Sequence, residues 1–300
     1  MKNNLINEIP KVNGIYKINA PLSHYTWLKV GGCADILYKP YDIEDLSIFL
    51  KNLQKEIPIT ILGAGSNVII RDGGIEGVVI KLGRNFNHIE IIDDNLLKVG
   101  ASMLNMNLSS FCLDNHMGGL EFLSGIPGTI GGGIAMNAGS YGREFKDIIY
   151  QIEVLDRNGN KFNIDNKEIN FSYRKNDLPK DLIFISAIVK YHKDLPHNIK
   201  SKIEEISNKR RNTQPITEKT GGSTFANPQD NSAWKLIDNV GLRGYSIGGA
   251  KFSEQHCNFM INTGSAKASD LEDLGELAIG RVFENFKINL EWEIKRLGKR

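Results

Sequence analysis

Nine glycines fall between Gly118 and Gly142, and five of them lie in the nine-residue run Gly125-Ile126-Pro127-Gly128-Thr129-Ile130-Gly131-Gly132-Gly133. A turn needs one or two glycines, and a flexible linker is seldom studded with isoleucine. A long stretch with little periodicity inside a compact domain is either functional or disordered. Here Leu120, Phe122, Leu123, Ile126, Ile130 and Ile134 argue for order, and therefore for function. A second glycine-rich segment, Gly63-Ala64-Gly65-Ser66-Asn67, follows an apolar run at 57–62 that reads as a buried strand. Glycines let a backbone approach an anion and turn successive N–H donors toward it, and Ser66 and Asn67 add side-chain donors. Taken alone, this segment is equally compatible with a tight surface turn.

Two well-known phosphate motifs are excluded. Val68 stands where the third glycine of a GxGxxG fingerprint would be, and no Gly-Lys-Ser/Thr closes a P-loop. Two glycine-rich loops in one domain point instead to a long diphosphate cofactor lying between them.

The remaining pattern is that of a mixed α and β chain. Ile43, Leu46, Leu50 and Leu53 share one face of a helix expected over 42–55, and Leu104, Leu108 and Phe111 mark another over 104–115. Strands are expected at 78–82, 89–92, 96–99 and 182–191. Asn158-Gly159 signals a hairpin between 148–155 and 161–164. Helices follow over 198–211, near Ser232 and over 269–286, the last with Ser269 and Glu272 at capping-box spacing. A final strand over 288–297 alternates Ile288, Leu290, Trp292 and Ile294 with polar residues.

Composition narrows the function classes. The chain has 300 residues, 41% of them hydrophobic and 24% charged, so it can bury a large core. A net charge of +2, with both signs interleaved, disfavours nucleic-acid binding, and the cluster Lys209-Arg210-Arg211 reads as a solvated helix face. Three cysteines and six histidines show neither disulfide nor metal spacing, so no metal is expected. Met1-Lys2-Asn3-Asn4-Leu5 lacks a signal peptide's apolar stretch, and no apolar run approaches the ~20 residues of a membrane span. The expectation is a cytoplasmic protein without membrane or nucleic-acid partners.

The glycine segments, read as Ile61-Leu62-Gly63-Ala64-Gly65-Ser66-Asn67 and Gly119-Leu120-Glu121-Phe122-Leu123-Ser124-Gly125-Ile126-Pro127-Gly128, resemble the UDP-N-acetylenolpyruvoylglucosamine reductase (MurB) family. The likeness runs on through His24-Tyr25-Thr26-Trp27, Phe171-Ser172-Tyr173-Arg174, Gly222-Ser223-Thr224-Phe225-Ala226-Asn227-Pro228, Ile247-Gly248-Gly249-Ala250 and Leu290-Glu291-Trp292-Glu293. It covers nearly the whole chain in the family's order and spacing. It implies an α+β fold: an FAD-binding domain of the vanillyl-alcohol-oxidase (PCMH) type in two subdomains, 1–84 and 85–195, and an α+β substrate-binding domain over 196–300. The implied reaction is NADPH-dependent reduction of UDP-N-acetylglucosamine enolpyruvate to UDP-N-acetylmuramate through FAD, by a monomer.

The resemblance also implies roles. Gly63, Ala64, Gly65, Ser66, Asn67, Gly125, Ile126, Pro127, Gly128, Thr129, Gly132 and Gly133 would bind FAD. Hydride addition to the enolpyruvyl ether drives charge onto its carboxylate, which a cation must stabilise. Arg174 matches the family's arginine for that role, and its planar fork suits a carboxylate. Ser223 matches the proton donor to C2, with Thr224 a neighbouring hydroxyl that sequence alone leaves open. Glu293 matches the third catalytic position, although Glu291 shares its strand face. Tyr141, Asn227 and His256 match substrate-contacting positions.

Several positions depart from the family pattern. His256 stands where glutamine is frequent, Asn176 where many members have serine, and Thr213 where some have a lysine for the diphosphate. The short segment from Lys175 to Leu182 has no room for the tyrosine-bearing insertion of longer members. A different flavin oxidase or a non-enzymatic nucleotide-binding protein are the competing readings. Neither requires Arg174, Ser223 and Glu293 together.

Overall fold

The computed structural model describes residues 5–300, with Asn7 as backbone only; the polar run Met1-Lys2-Asn3-Asn4 lies outside them. The fold is α+β, and the chain forms two compact units. One comprises the chain up to Ile18, Ile36–Ala64 and Gly77–Lys209; the other comprises Asn19–Asp35, Gly65–Glu76 and Arg210–Arg300.

The first unit is built on a five-stranded antiparallel sheet, in the order Lys161–Asp165, Ile149–Leu155, Ile183–Lys190, Leu96–Gly100, Ile89–Asp93. Its buried face carries Leu97, Val99, Ile152, Ala187 and Val189. Leu108 and Cys112 of the helix Asn105–Asp114 and Ile130 and Ile134 of the short helix Ile130–Ala135 join them in one core. The expected hairpin is present, with strands ending at Leu155 and resuming at Lys161 as expected. The Asp156 carboxylate accepts from the N–H groups of Asn158 (2.7 Å) and Asn160 (2.9 Å), so a side chain organises the loop and only Gly159 takes a positive φ, +77°. A second core packs Leu46, Phe49 and Leu50 of the helix Ile43–Asn52 on Tyr38, Val78 and Ile80. Asp42 caps that helix through Asp45 N–H at 2.8 Å. The strand expected before the first glycine segment is short, Ile59–Ile61, and lies parallel to Ile75–Ile80.

The second unit holds a four-stranded antiparallel sheet in the order Thr220–Ser223, Phe259–Asn262, Ala250–Phe252, Ser246–Ile247. The helix Ala268–Phe286 contributes Leu271, Leu274, Ala278 and Val282, all 0% exposed, to its core. Burying each of the two leucines stabilises by roughly 1.5–3 kcal/mol.

The capping box expected at Ser269 and Glu272 does not form. Asp270 accepts from Lys267 N–H, while the carboxylate of Asp72 accepts from Ala268 and Ser269 N–H at 2.9 and 3.0 Å. Glu272 instead lies buried in a bidentate pair with Arg71, at 2.9 to 3.2 Å. The final strand is also shorter than its alternation suggested. Lys295–Leu297 pairs in parallel with Val68–Ile70, and upstream only a single bridge, Phe225 to Trp292, interrupts irregular backbone. The alternation itself persists, with Leu290 and Ile294 buried, because the inner face is covered whether or not a ladder is complete.

Candidate active site

In the first unit Gly63 and the long glycine run meet at Thr129. A Cβ placed on Gly63 would meet a single neighbour within 4 Å, the Thr129 Oγ1 at 2.9 Å, and one on Gly132 would meet only the same oxygen at 3.4 Å. The glycines therefore keep open a space beside Thr129, a cradle that side chains would fill. A cofactor phosphate needing close backbone approach fits such a space. Lys81 donates to the Gly63 carbonyl at 2.5 Å, bringing a cation beneath the segment. Burial, with Lys39 nearby, holds Lys81 below the ordinary lysine range.

The long glycine run works differently from a nest of free donors. The N–H groups of Ile126, Ile130, Gly131 and Gly133 donate to carbonyls within the protein, and Gly132 N–H donates to Thr129 Oγ1 at 3.3 Å. Gly133 is there for packing, since a Cβ would stand 2.2 Å from the Phe145 ring. Gly131 lies against Ala101, and Gly128 takes φ +125°. Sequence reasoning missed Asn105, which is fully buried and holds the run by its N–H to Gly128 O (3.0 Å) and its Nδ2 to Ile126 O (3.2 Å). Its mid-chain asparagine at the start of a helix carries no pattern that separates it from an ordinary polar residue.

Arg174, half-buried, belongs to a tight turn in which Ser172 and Lys175 exchange backbone hydrogen bonds at 3.0 and 3.2 Å. It takes φ +58°, its Nη2 donates to Gly139 O at 3.3 Å, and its guanidinium lies 4.9 Å from the centre of the Tyr173 ring. Tyr141, exposed and at φ +50°, lies close to Gly125: a Cβ there would approach its ring edge at 3.2 Å. Its hydroxyl donates to Ile206 O at 3.4 Å. The glycine run thus adjoins the Tyr141 and Arg174 positions within one unit.

The second unit brings Ser223 and Glu293 onto neighbouring backbone segments. Ser223 ends its strand after Gly222, whose φ is +80° and beside which a Cβ would meet nothing within 4 Å. Glu293 and Ile294 both donate their N–H to Thr224 O, at 2.8 and 3.3 Å, and Ala226 donates to Glu291 O at 2.9 Å. Thr224 itself is 0% exposed and its hydroxyl has no hydrogen-bond partner, whereas Ser223 is half-buried. Of the two hydroxyls left open by sequence, that of Thr224 is shut away from the surface. Asn67, from the first glycine segment, donates to Glu293 O at 3.2 Å and accepts from Lys295 N–H at 3.0 Å. Gly65 closes the same region: a Cβ would sit 2.1 Å from Tyr25 O, and φ is +69°.

Asn227 and His256 are engaged in local structure. Asn227 Oδ1 accepts from Ala233 N–H at 3.0 Å and so starts the helix Ala233–Asn239, for which Ser232 provides no side-chain cap. His256 Nδ1 accepts from Asn258 N–H at 3.3 Å, and its ring stands edge-on to Phe259 at 4.7 Å. Burial, with Arg243 adding in the same direction, depresses its pKa. Thr213 ends the helix Pro196–Thr213. No group of three or more His, Cys, Asp or Glu among the described residues could hold a metal ion, and no helix there is long and apolar enough to cross a membrane.

Comparison with known proteins identifies the family. Residues 34–165 match the FAD binding domain family, and residues 214–297 match the C-terminal domain of UDP-N-acetylenolpyruvoylglucosamine reductase. The chain is 59% identical over 291 residues to a UDP-N-acetylenolpyruvoylglucosamine reductase of Rickettsia massiliae, covering 97% of this chain and 98% of the relative. The corresponding protein of Rickettsia prowazekii is 57% identical over the same share of each. The crystal structure of the UDP-N-acetylenolpyruvylglucosamine reductase of Thermus caldophilus superposes with a TM-score of 0.83 at 32% identity, covering 96% of this chain and all of that one. On the strength of this agreement along both units, the chain belongs to the UDP-N-acetylenolpyruvoylglucosamine reductase family, among its shorter members.

Proposed function

We propose that the protein reduces UDP-N-acetylglucosamine enolpyruvate to UDP-N-acetylmuramate, a step of peptidoglycan precursor synthesis, using FAD and NADPH in the cytoplasm. The observation that carries the reading is the pairing of Glu293 with Thr224, which sets the half-buried Ser223 hydroxyl and the Glu293 carboxylate on adjoining backbone while burying the competing hydroxyl of Thr224. The family relationship supplies the substrate and the reaction.

The division of labour we infer gives 1–84 and 85–195 to FAD and 196–300 to the substrate. It draws support from the two family matches on 34–165 and 214–297. Gly63, Ala64, Gly65, Ser66, Asn67, Gly125, Ile126, Pro127, Gly128, Thr129, Gly132 and Gly133 would hold the cofactor. Bound FAD supplies a hydride carrier between NADPH and the enolpyruvyl ether. The chain's own residues then have three tasks. Arg174 pairs with the substrate carboxylate and stabilises the negative charge that hydride addition at C3 places on it. Ser223 delivers a proton to C2. A serine hydroxyl is a weak acid, so transfer relies on the basicity of the enolate it meets. Glu293 orients the groups around that proton transfer. Tyr141, Asn227 and His256 would contact the UDP-sugar, and the enzyme would work as a monomer.

The test is spectroscopic. The purified protein should show a flavin spectrum that NADPH bleaches and that the enolpyruvyl substrate restores under anaerobic conditions. A protein with no flavin after reconstitution, or a reduced flavin that only oxygen reoxidises, would sink the reading.

A further inference from the structure

We propose that Asn137 and Asn176 are positioning residues for Arg174, clamping its turn to the end of the glycine-rich helix Ile130–Ala135; this rests on the reading that Arg174 meets the substrate carboxylate. Arg174 adopts a left-handed backbone conformation, φ +58°, which a residue with a side chain keeps only where its surroundings enforce it. The enforcement is visible at both ends of the turn.

At the first end, Asn137 is fully buried and stands one residue beyond the helix cap Met136, or two past Ala135, at φ +39°, a conformation asparagine tolerates better than most residues. Its Nδ2 donates to Ser172 O and to Glu144 Oε2, each at 3.0 Å, and its Oδ1 accepts from Lys146 N–H at 3.0 Å. Both amide hydrogens and the carbonyl are therefore in use, and no other side chain of that size offers two donors and an acceptor. At the second end, Asn176 Nδ2 donates to Ile134 O at 3.0 Å and Ala135 O at 3.2 Å, while its Oδ1 accepts from Leu178 N–H at 3.1 Å. Those two carbonyls belong to the helix C-terminus, where the last turn leaves acceptors without intrahelical partners. Arg174 thus hangs between two amides, one of Asn176 that grips the helix end and one of Asn137, whose backbone N–H donates to Ile134 O at 3.1 Å; its own Nη2 reaches Gly139 O just beyond Asn137.

The geometry of the glycine run and the aim of the guanidinium are in this way mechanically linked. A shift of the turn at either end would move the cation away from a carboxylate that must be met within hydrogen-bond distance, a displacement to which catalysis is sensitive. Asn137→Asp keeps the shape but replaces the donor facing Ser172 O and Glu144 with an acceptor. Asn176→Ala removes the second grip at a half-buried site and serves if the buried substitution fails to fold.

The experiment separates the half-reactions by anaerobic stopped flow. Each variant should reduce its flavin with NADPH to within about twofold of the parent rate, and reoxidise with the enolpyruvyl substrate at least about tenfold more slowly. In an Arg174→Ala background, either substitution should add nothing further, because its effect runs through the missing guanidinium. Variants that reoxidise at the parental rate while Arg174→Ala is crippled would overturn the clamp. Equal slowing of both half-reactions, or additive loss in the double variants, would overturn it too. If Arg174→Ala itself reoxidises normally, the role given to Arg174 fails, and the clamp with it.

Discussion

The backbone N–H of Glu293 donates to the carbonyl of Thr224 at 2.8 Å, joining two residues that are far apart in the chain. The bond sets the backbone of Ser223 beside that of Glu293. It also turns Thr224 inward, so that two adjacent hydroxyls have opposite fates.

Those fates predict contrasting variants. Ser223→Ala should leave reduction of the flavin by NADPH nearly intact and slow its reoxidation by substrate by about 10²–10⁴-fold, the usual worth of a positioned proton donor. Thr224→Val removes a buried hydroxyl that has no hydrogen-bond partner. It should keep both half-reactions and leave stability unchanged or raised by up to about 1 kcal/mol, since an unmet polar group is lost. Half-reaction kinetics and urea unfolding check the pair, and a Thr224→Val enzyme that cannot reoxidise would reverse the assignment.

Two glycines of the cofactor region should behave oppositely. At Gly63 an added methyl need displace only the Thr129 hydroxyl, so Gly63→Ala should cost about 1 kcal/mol or less in folding yet weaken FAD binding at least about tenfold. At Gly133 the methyl would collide with the Phe145 ring, and Gly133→Ala should destabilise the fold by about 1–3 kcal/mol or more. Apoprotein unfolding and FAD titration read the two effects separately.

The Arg71–Glu272 pair predicts a stability loss of a different origin. Glu272 is nearly inaccessible, and removing its main partner leaves a buried carboxylate with only Arg296, 3.5 Å away, to answer it. Arg71→Met should destabilise by about 2–4 kcal/mol at neutral pH. The double variant Arg71→Met with Glu272→Leu should recover much of that loss, as measured by denaturant midpoint; no recovery would argue against an electrostatic cause.

His256 carries a pH dependence whose sign follows from its depressed pKa. Folded, it stays neutral below the pH at which the unfolded chain, near its ordinary value of about 6.5, has begun to bind a proton. The unfolded state then holds more protons, so the stability it contributes is present above about pH 6.5 and lost as pH falls toward the folded pKa. Between about pH 8 and pH 5 the parent should lose more stability than His256→Gln. Identical losses in the two proteins would place the titration elsewhere.

Much of the architecture was legible in the residue pattern because burial acts locally. Helical spacing of Leu46 and Leu50 and the apolar runs of the central sheet each report which face a short segment must hide, and Asn158-Gly159 reports a backbone that can turn. The glycine clusters announced themselves for a similar reason, since so many residues without side chains cannot serve an ordinary core. Their detailed use was hidden, because Gly63 and Gly133 look alike in sequence and differ only in whether open space or the Phe145 ring lies alongside. The same limit applied to Ser269 and Glu272, whose spacing fitted a capping box. Asp72, nearly two hundred residues earlier, reached the helix start first, and Glu272 went to Arg71. By itself, then, the sequence determined the α+β class and the family. Only tertiary structure decided which hydroxyl stays reachable, which asparagines hold the Arg174 turn and which glycines leave room for a ligand. Those outcomes depend on hydrogen bonds and van der Waals contacts between distant segments, and no local period records them.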